Sequence, residues 1–187
     1  FKYREFLHKS NEFSASLRSL TRGEQQMASH VYMSISGKSQ GLISAGCSTA
    51  DSIGNKCQIG HRDEIMVLSF NHTMLNLGNL DRATHQPIAI VKNIDKSTPL
   101  LAQALTNREI LECKINFYRT SPMGVQERFF TVDISGCILT ELTLVMPHAT
   151  LENDADIQEV MALSYREICW MHHIAGTSGY SSWDEDK

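Results

Sequence analysis

Gly37, Ser39 and Gly41 stand at the G-x-S-x-G spacing that presents a nucleophilic serine in many hydrolases. That chemistry requires the serine on a sharp strand-to-helix turn, so that its hydroxyl is exposed to a base and an oxyanion hole. A strand-like run does precede Ser39. The residues that follow, GLISAGCSTADS, are too rich in glycine and small hydroxyl side chains to open a helix, because glycine costs backbone entropy and Ser and Asp compete for backbone hydrogen bonds. The reading is a turn, with a serine hydrolase kept only as a minor alternative. The Gly37-Lys38-Ser39 tripeptide also lacks the upstream glycine of a phosphate-binding loop, since Tyr32 holds that position.

Histidine and cysteine are the other reactive types. His172 and His173 are neighbours at a strand end, so their side chains point to opposite faces and cannot share one metal ion. A ligand role would need His72, His85 or His148 to come close in space, and the plain reading is surface or interface histidines. The five cysteines, at 47, 57, 113, 137 and 169, are odd in number, scattered, and without a C-x-x-C pair. They read as free thiols of a chain folded in a reducing compartment, with no zinc site. Asn71-His72-Thr73 fits a glycosylation acceptor, but the N-terminus lacks the apolar core of a secretory signal that would bring it to that machinery. No catalytic residue, metal or cofactor is assigned.

A chain of 187 residues is one domain and large enough to bury a core. The net charge of −4 is small and evenly spread, which argues against a nucleic-acid groove. No apolar run reaches membrane-spanning length. Residues 1–26 are polar and mildly basic, and read as a flexible N-terminal extension or expression remnant. The domain is expected over 27–187.

Strand signals fill most of that domain. Val31, Met33 and Ile35 alternate with Tyr32, Ser34 and Ser36 as a half-buried strand. The long loop Gln40–Lys56 follows it, with neither helix nor strand period, and ordered loops of that length are usually functional or interfacial. Glu64–Met74 alternates again, with Met66, Leu68 and Phe70 on one face. Asn76–Gln86 is irregular, and Pro87 opens another strand. The one convincing helix is capped by Ser97 or Thr98, carries Pro99 in its first turn, buries Leu100, Leu101, Ala104 and Leu105, and stops at Asn107. Beyond it, Leu111–Phe117 is a strand, Ser121–Gly124 a hairpin turn, Arg128–Met146 two strands hinged at Gly136, and Glu159–His172 a last long strand. The second of those two strands, where Ile138, Leu142, Leu144 and Met146 oppose Leu139 and Val145, and the last strand, where Val160, Ala162, Ile168 and Trp170 oppose Met161, Leu163 and Met171, are apolar on both faces. Since an antiparallel sheet usually wets one face, either they are fully covered or a second subunit meets them. With one helix to cover anything, an oligomer is expected.

The run GLISAGCSTADSIGNKCQIGHRDEI closely resembles the Hcp family, the haemolysin-coregulated proteins of type VI secretion. HQPIAIVKNIDKSTPLL, FYRTSPMGVQERFFTV and AGTSGYSSW agree with the same family in the same order, so the resemblance spans nearly all of Met27–Trp183. It implies a mainly β fold: a two-sheet β-barrel of the tail-tube type, with one flanking α-helix and a long extended loop. It implies a tube subunit, not an enzyme: homohexameric rings stack into an inner tube, capped by a spike protein, surrounded by a contractile sheath and loaded with effector proteins. The protein would be cytoplasmic before firing and then extracellular, exported without a signal peptide. A tail-tube subunit of a phage-like contractile particle is the alternative. On this resemblance the loop residues Gly46, Cys47, Ser48, Asp51, Ser52, Gly54, Asn55 and Lys56 are expected to contact neighbouring subunits. Ser97, Gln103 and Asn107 are expected to face the lumen and meet effectors. Trp183 would anchor the chain end while Asp184, Glu185 and Asp186 stay in water.

Overall fold

Apolar side chains that recur at every second position make strands, and eleven strands run through the described residues, beginning with β1 at His30–Gly37. The structure is a computed structural model that describes residues 29–57, 59–76, 78, 83–151 and 156–182. The N-terminal extension, Met27, Trp183 and the acidic end therefore lie outside the described residues. The order continues with β2 (Gly41–Leu42), α1 (Ala50–Ile53), β3 (Ile65–Asn71), β4 (Met74–Leu75), β5 (Thr84–His85) and β6 (Ile88–Asn93). It ends with α2 (Thr98–Asn107), β7 (Leu111–Thr120), β8 (Gln126–Val145), β9 (Gln158–Ser164), β10 (Glu167–His172) and β11 (Thr177–Ser182). All pairings are antiparallel.

The main sheet runs β11-β10-β8-β7-β1-β3-β6-β9, and β9 pairs back onto β8, which closes a ring of strands. A separate two-stranded sheet joins β4 to β5. Closure depends on β8. It is one continuous strand of 20 residues rather than the two expected, and Gly136 bends it within the strand. Gly136 adopts φ +59, a left-handed conformation that disfavours a side chain. The first part of β8 pairs with β7 and β10, and the part beyond Gly136 pairs with β9. One strand thereby belongs to two sides of the barrel.

Other expectations need correction for the same reason, a local break that changes phase. A bulge between Val67 and Ser69 resets β3, so Phe70 packs on the core with Ile65 and Val67 instead of sharing a face with Leu68, which is exposed. The expected strand Glu159–His172 is split at Tyr165 and Arg166, and the following segment adds an edge strand, β11. The hairpin turn after β7 is as expected, closed by the Gly124 N–H donating to the Ser121 carbonyl at 2.9 Å, with Gly124 at φ +78.

Helix α2 packs against β8 and sends Leu101 and Ala104 into the core, beside Ile35, Ile65, Ile90, Ile115 and Ile134. Neither Ser97 nor Thr98 caps it by side chain. Asp95 does the work two residues earlier: its carboxylate accepts the Ser97 N–H at 2.8 Å and the Ser97 hydroxyl at 2.5 Å. At the far end Arg108 takes the left-handed conformation and its N–H closes on Ala104 and Leu105, so the helix stops after Asn107 as expected.

Candidate functional site

The long loop is not uniformly extended. Its first part folds back over the barrel. The Ile43 and Ser44 N–H groups donate to the Ile35 carbonyl at 3.0 and 3.2 Å, and the Ser48 hydroxyl donates to the Glu64 carbonyl at 2.6 Å. Ile43, Ser44, Cys47 and Ser48 are consequently buried. Cys47 and Ser48 were expected to meet a neighbouring subunit; the structure places both inside their own barrel, because Ile43 and Cys47 join the apolar core and draw the intervening small residues with them. Gly46, at φ +69, gives its N–H to the Asp63 carboxylate at 2.8 Å.

The distal part behaves differently. The glycine- and serine-rich sequence was expected to exclude helix, yet Ala50–Ile53 forms one helical turn and Gly54–Lys56 and Ile59–His61 form 3-10 turns. Asp51, Gly54 and Asn55 are exposed, and Ser52 and Lys56 half-buried. Lys56 pairs with Asp156, and the Ser52 hydroxyl accepts the Lys96 N–H at 2.9 Å. An open cleft of about 620 Å³ lies between Thr49–Ser52 and Ile94–Lys96, with Arg62 beside it. The loop ends by docking His61 flat on Tyr32, ring centroids 3.6 Å apart and planes within 6°. That contact buries the outward face of β1, so Tyr32 is fully covered where a half-buried strand was expected.

The three residues expected to meet effectors are not brought together. Gln103 and Asn107 are exposed on α2. Ser97 is fully buried and its hydroxyl donates to Asp95. It belongs to a network the sequence did not disclose. The Lys92 ammonium lies 2.9 Å from Asp95 and 3.5 Å from Glu159, and the Thr98 hydroxyl donates to Glu159 at 2.5 Å. Lys92 and Glu159 are both at 0% exposure, and Glu159 Oε1 finds no partner among the described residues. The alternation of β6 and β9 places these two on the core side, a position where sequence reads only an ordinary Lys and Glu. Their pairing ties the start of α2 to both strands.

Chemistry at Ser39 does not develop. The Ser39 and Gln40 N–H groups donate to Glu109 Oε1 at 2.6 and 2.9 Å, and the Gln40 side-chain amide donates to Glu109 Oε2 at 2.7 Å. The Glu109 carboxyl is held below its ordinary range, first by that side-chain amide and then by the two backbone donors. The segment is a clamped turn followed by β2, and the strand-to-helix elbow is absent there. The cysteines are free; burial pushes Cys47 up to about 11 and raises Cys113 and Cys137 as well, which disfavours the nucleophilic thiolate at these three. Among the described residues no three His, Cys, Asp or Glu side chains converge as a metal site. No helix among them is long and apolar enough to cross a membrane.

What the surface does offer is uncovered apolar side chains. Leu144 is 57% exposed, Met146 69% and Tyr180 63%. Leu144 lies near the end of β8 and Tyr180 on β11, the last strand of the sheet among the described residues. Helix α2 is too short to reach them all. A mainly β ring of strands with one packed helix and a folded-back loop defines the class: a barrel of the tail-tube kind.

The chain belongs to the Hcp family of type VI secretion: residues 32–172 match the family described as "Type VI secretion system effector, Hcp". It is similar to the "Major exported protein" of Pseudomonas aeruginosa, 39% identical over 166 residues, covering 84% of this chain and 96% of that protein. It is also 38% identical over 151 residues to YhhZ of Escherichia coli K12, a match spanning 81% of this chain and 37% of YhhZ. Among solved structures, one described as an Hcp protein superposes with a TM-score of 0.79 at 36% identity, covering 84% of this chain and 99% of the other. The secreted protein Hcp3 from Pseudomonas aeruginosa superposes with a TM-score of 0.73 at 40% identity, covering 82% and 99%. The family is that of type VI secretion tube proteins, and the resemblance read from the sequence is the one found.

Proposed function

We propose that this protein is the subunit of homohexameric rings that stack into a type VI inner tube, carry effector proteins in the lumen and leave the cell with them. Family membership supports a tube protein. The observation that carries the ring itself is the set Leu144, Met146 and Tyr180 uncovered on one barrel, with β11 the last strand of its sheet among the described residues. An edge strand and an apolar face that meet different surfaces of a neighbour make a heterologous contact, and such contacts generate closed rings or open filaments.

In this reading the exposed distal loop, from Asp51 to Lys56, contacts the next subunit or the next ring. Gly46 serves by shaping the loop, not by touching a neighbour. Gln103 and Asn107 on α2 face the lumen and offer short polar side chains to cargo. Effectors are held weakly enough to be released, since many modest contacts around a symmetric lumen add up without one tight site. The spike caps the tube, the sheath drives it out, and the protein passes with it from cytoplasm to exterior. The name of the Pseudomonas aeruginosa relative, an exported protein, agrees with that route. Native mass measurement with negative-stain imaging tests the proposal. Closed six-membered rings are expected; a monomer at high micromolar concentration would overturn it.

A further inference from the structure

Tyr32, Asn116 and Thr131 stand side by side on β1, β7 and β8, while their neighbours Met33, Ile115 and Val132 point into the core. Alternation therefore turns the three toward the outside of the barrel. They are nonetheless 0%, 3% and 1% exposed. Two segments far apart in sequence reach over them: His61 and Glu64 at the end of the long loop, and His173 in the turn between β10 and β11.

Side-chain hydrogen bonds join these segments through the sheet. His61, stacked on Tyr32, places Nδ1 2.5 Å from Glu64 Oε2. The Asn116 side-chain amide donates to Glu64 Oε1 at 3.3 Å, and the Thr131 hydroxyl donates to Asn116 Oδ1 at 3.0 Å. Thr131 has only that one proton to give. At its 2.7 Å contact with His173 Nε2 the hydroxyl oxygen therefore accepts and the imidazole N–H donates. The chain runs unbroken from loop to turn, and its two middle members are both buried. Neither can turn to water when an outer partner leaves, so a buried polar group is then left unsatisfied. Asn116 has its carbonyl held by Thr131 and its amide by Glu64, so the orientation that serves one end is set by the other.

We propose that the loop end, residues 59–64, and the β10–β11 turn, residues 173–176, are latched through Glu64, Asn116, Thr131 and His173 and open and close as one unit. In a ring of the kind proposed above, a neighbour that holds one end of the latch also tightens the other, and the effect is reciprocal. That consequence rests on the ring reading, whereas exchange measured in the chain itself tests the latch whether or not rings form.

The measurement is native-state amide hydrogen exchange of the full chain. The reporters are the Glu64 N–H on the His61 carbonyl, and the His173 and Gly176 N–H groups on the Phe129 and His172 carbonyls. The Leu101 N–H, bonded to the Ser97 carbonyl in α2, is the control. Thr131→Val removes the middle hydroxyl and should speed exchange about tenfold or more at both reporter groups while leaving Leu101 unchanged. Thr131→Ser keeps the hydroxyl and should keep the slow exchange at both. Glu64→Ala and His173→Ala should each loosen the far end as well as the near one, and the double variant should exchange more slowly than the product of the two effects. Loosening of the turn alone in Thr131→Val overturns the proposal, as does an equal rise at Leu101, which would mean general destabilisation. A Thr131→Ser variant that behaves like Thr131→Val, or strictly multiplicative effects of Glu64→Ala and His173→Ala, overturns it too.

Discussion

Glu109 gathers three donors from Ser39 and Gln40 onto one carboxylate, and a Cβ on Gly37 would run into it. Its carboxyl is depressed from the ordinary value of 4.5, so the unfolded chain takes up the proton first as the pH falls. The stability this clamp contributes is complete above pH 4.5 and is lost as the pH drops from there through the folded-state value. Urea denaturation across that range should show a slope that Glu109→Gln flattens; an unchanged slope would mean the clamp is not the titrating group. Lys92 is a sharper case. Removing its charge leaves Asp95 and Glu159 buried and uncompensated, and breaking a buried pair from one side costs about 3–5 kcal/mol. Lys92→Met should show that loss in the urea midpoint, and Lys92→Met with Glu159→Leu should recover part of it.

At the scale of elements, breaks in period decide which strands meet. Gly136 bends β8 with φ +59, and a Cβ there would lie 3.1 Å from the Arg166 side chain. Gly136→Ala combines a left-handed backbone with that crowding and should cost about 1–2 kcal/mol by thermal or chemical denaturation. The bulge in β3 and the split between β9 and β10 have the same origin: one residue out of phase exchanges the two faces of a strand. Sequence alternation located these strands well. It did not locate the bulge or the split, because each strand carries apolar residues on both faces, so an alternating pattern reads on across the break.

For the whole molecule, the question is what covers the surface that one helix leaves bare. Leu144 and Met146 are exposed enough that a charge there should leave the isolated barrel within about 0.5 kcal/mol of its stability. Leu144→Glu with Met146→Glu should therefore keep the melting behaviour of the subunit while reducing rings to smaller species in native mass measurement. Rings that survive the double substitution would move the interface away from this end of β8.

Blocks of residues distributed along the chain sufficed to identify the family and, through that resemblance, the barrel, while alternation with one helical stretch sufficed for a mainly β chain. Those features are local or sequential, written in the order of the side chains themselves. Contacts between residues far apart in sequence were decided by the tertiary structure. The loop residues Cys47 and Ser48 turn inward because Ile43 and Cys47 find the core. Lys92 meets Glu159 across two strands. His72 and His85 meet at Tyr165 although 93 and 80 residues separate them from it. No local pattern encodes such meetings, because they depend on the register and closure of the whole barrel.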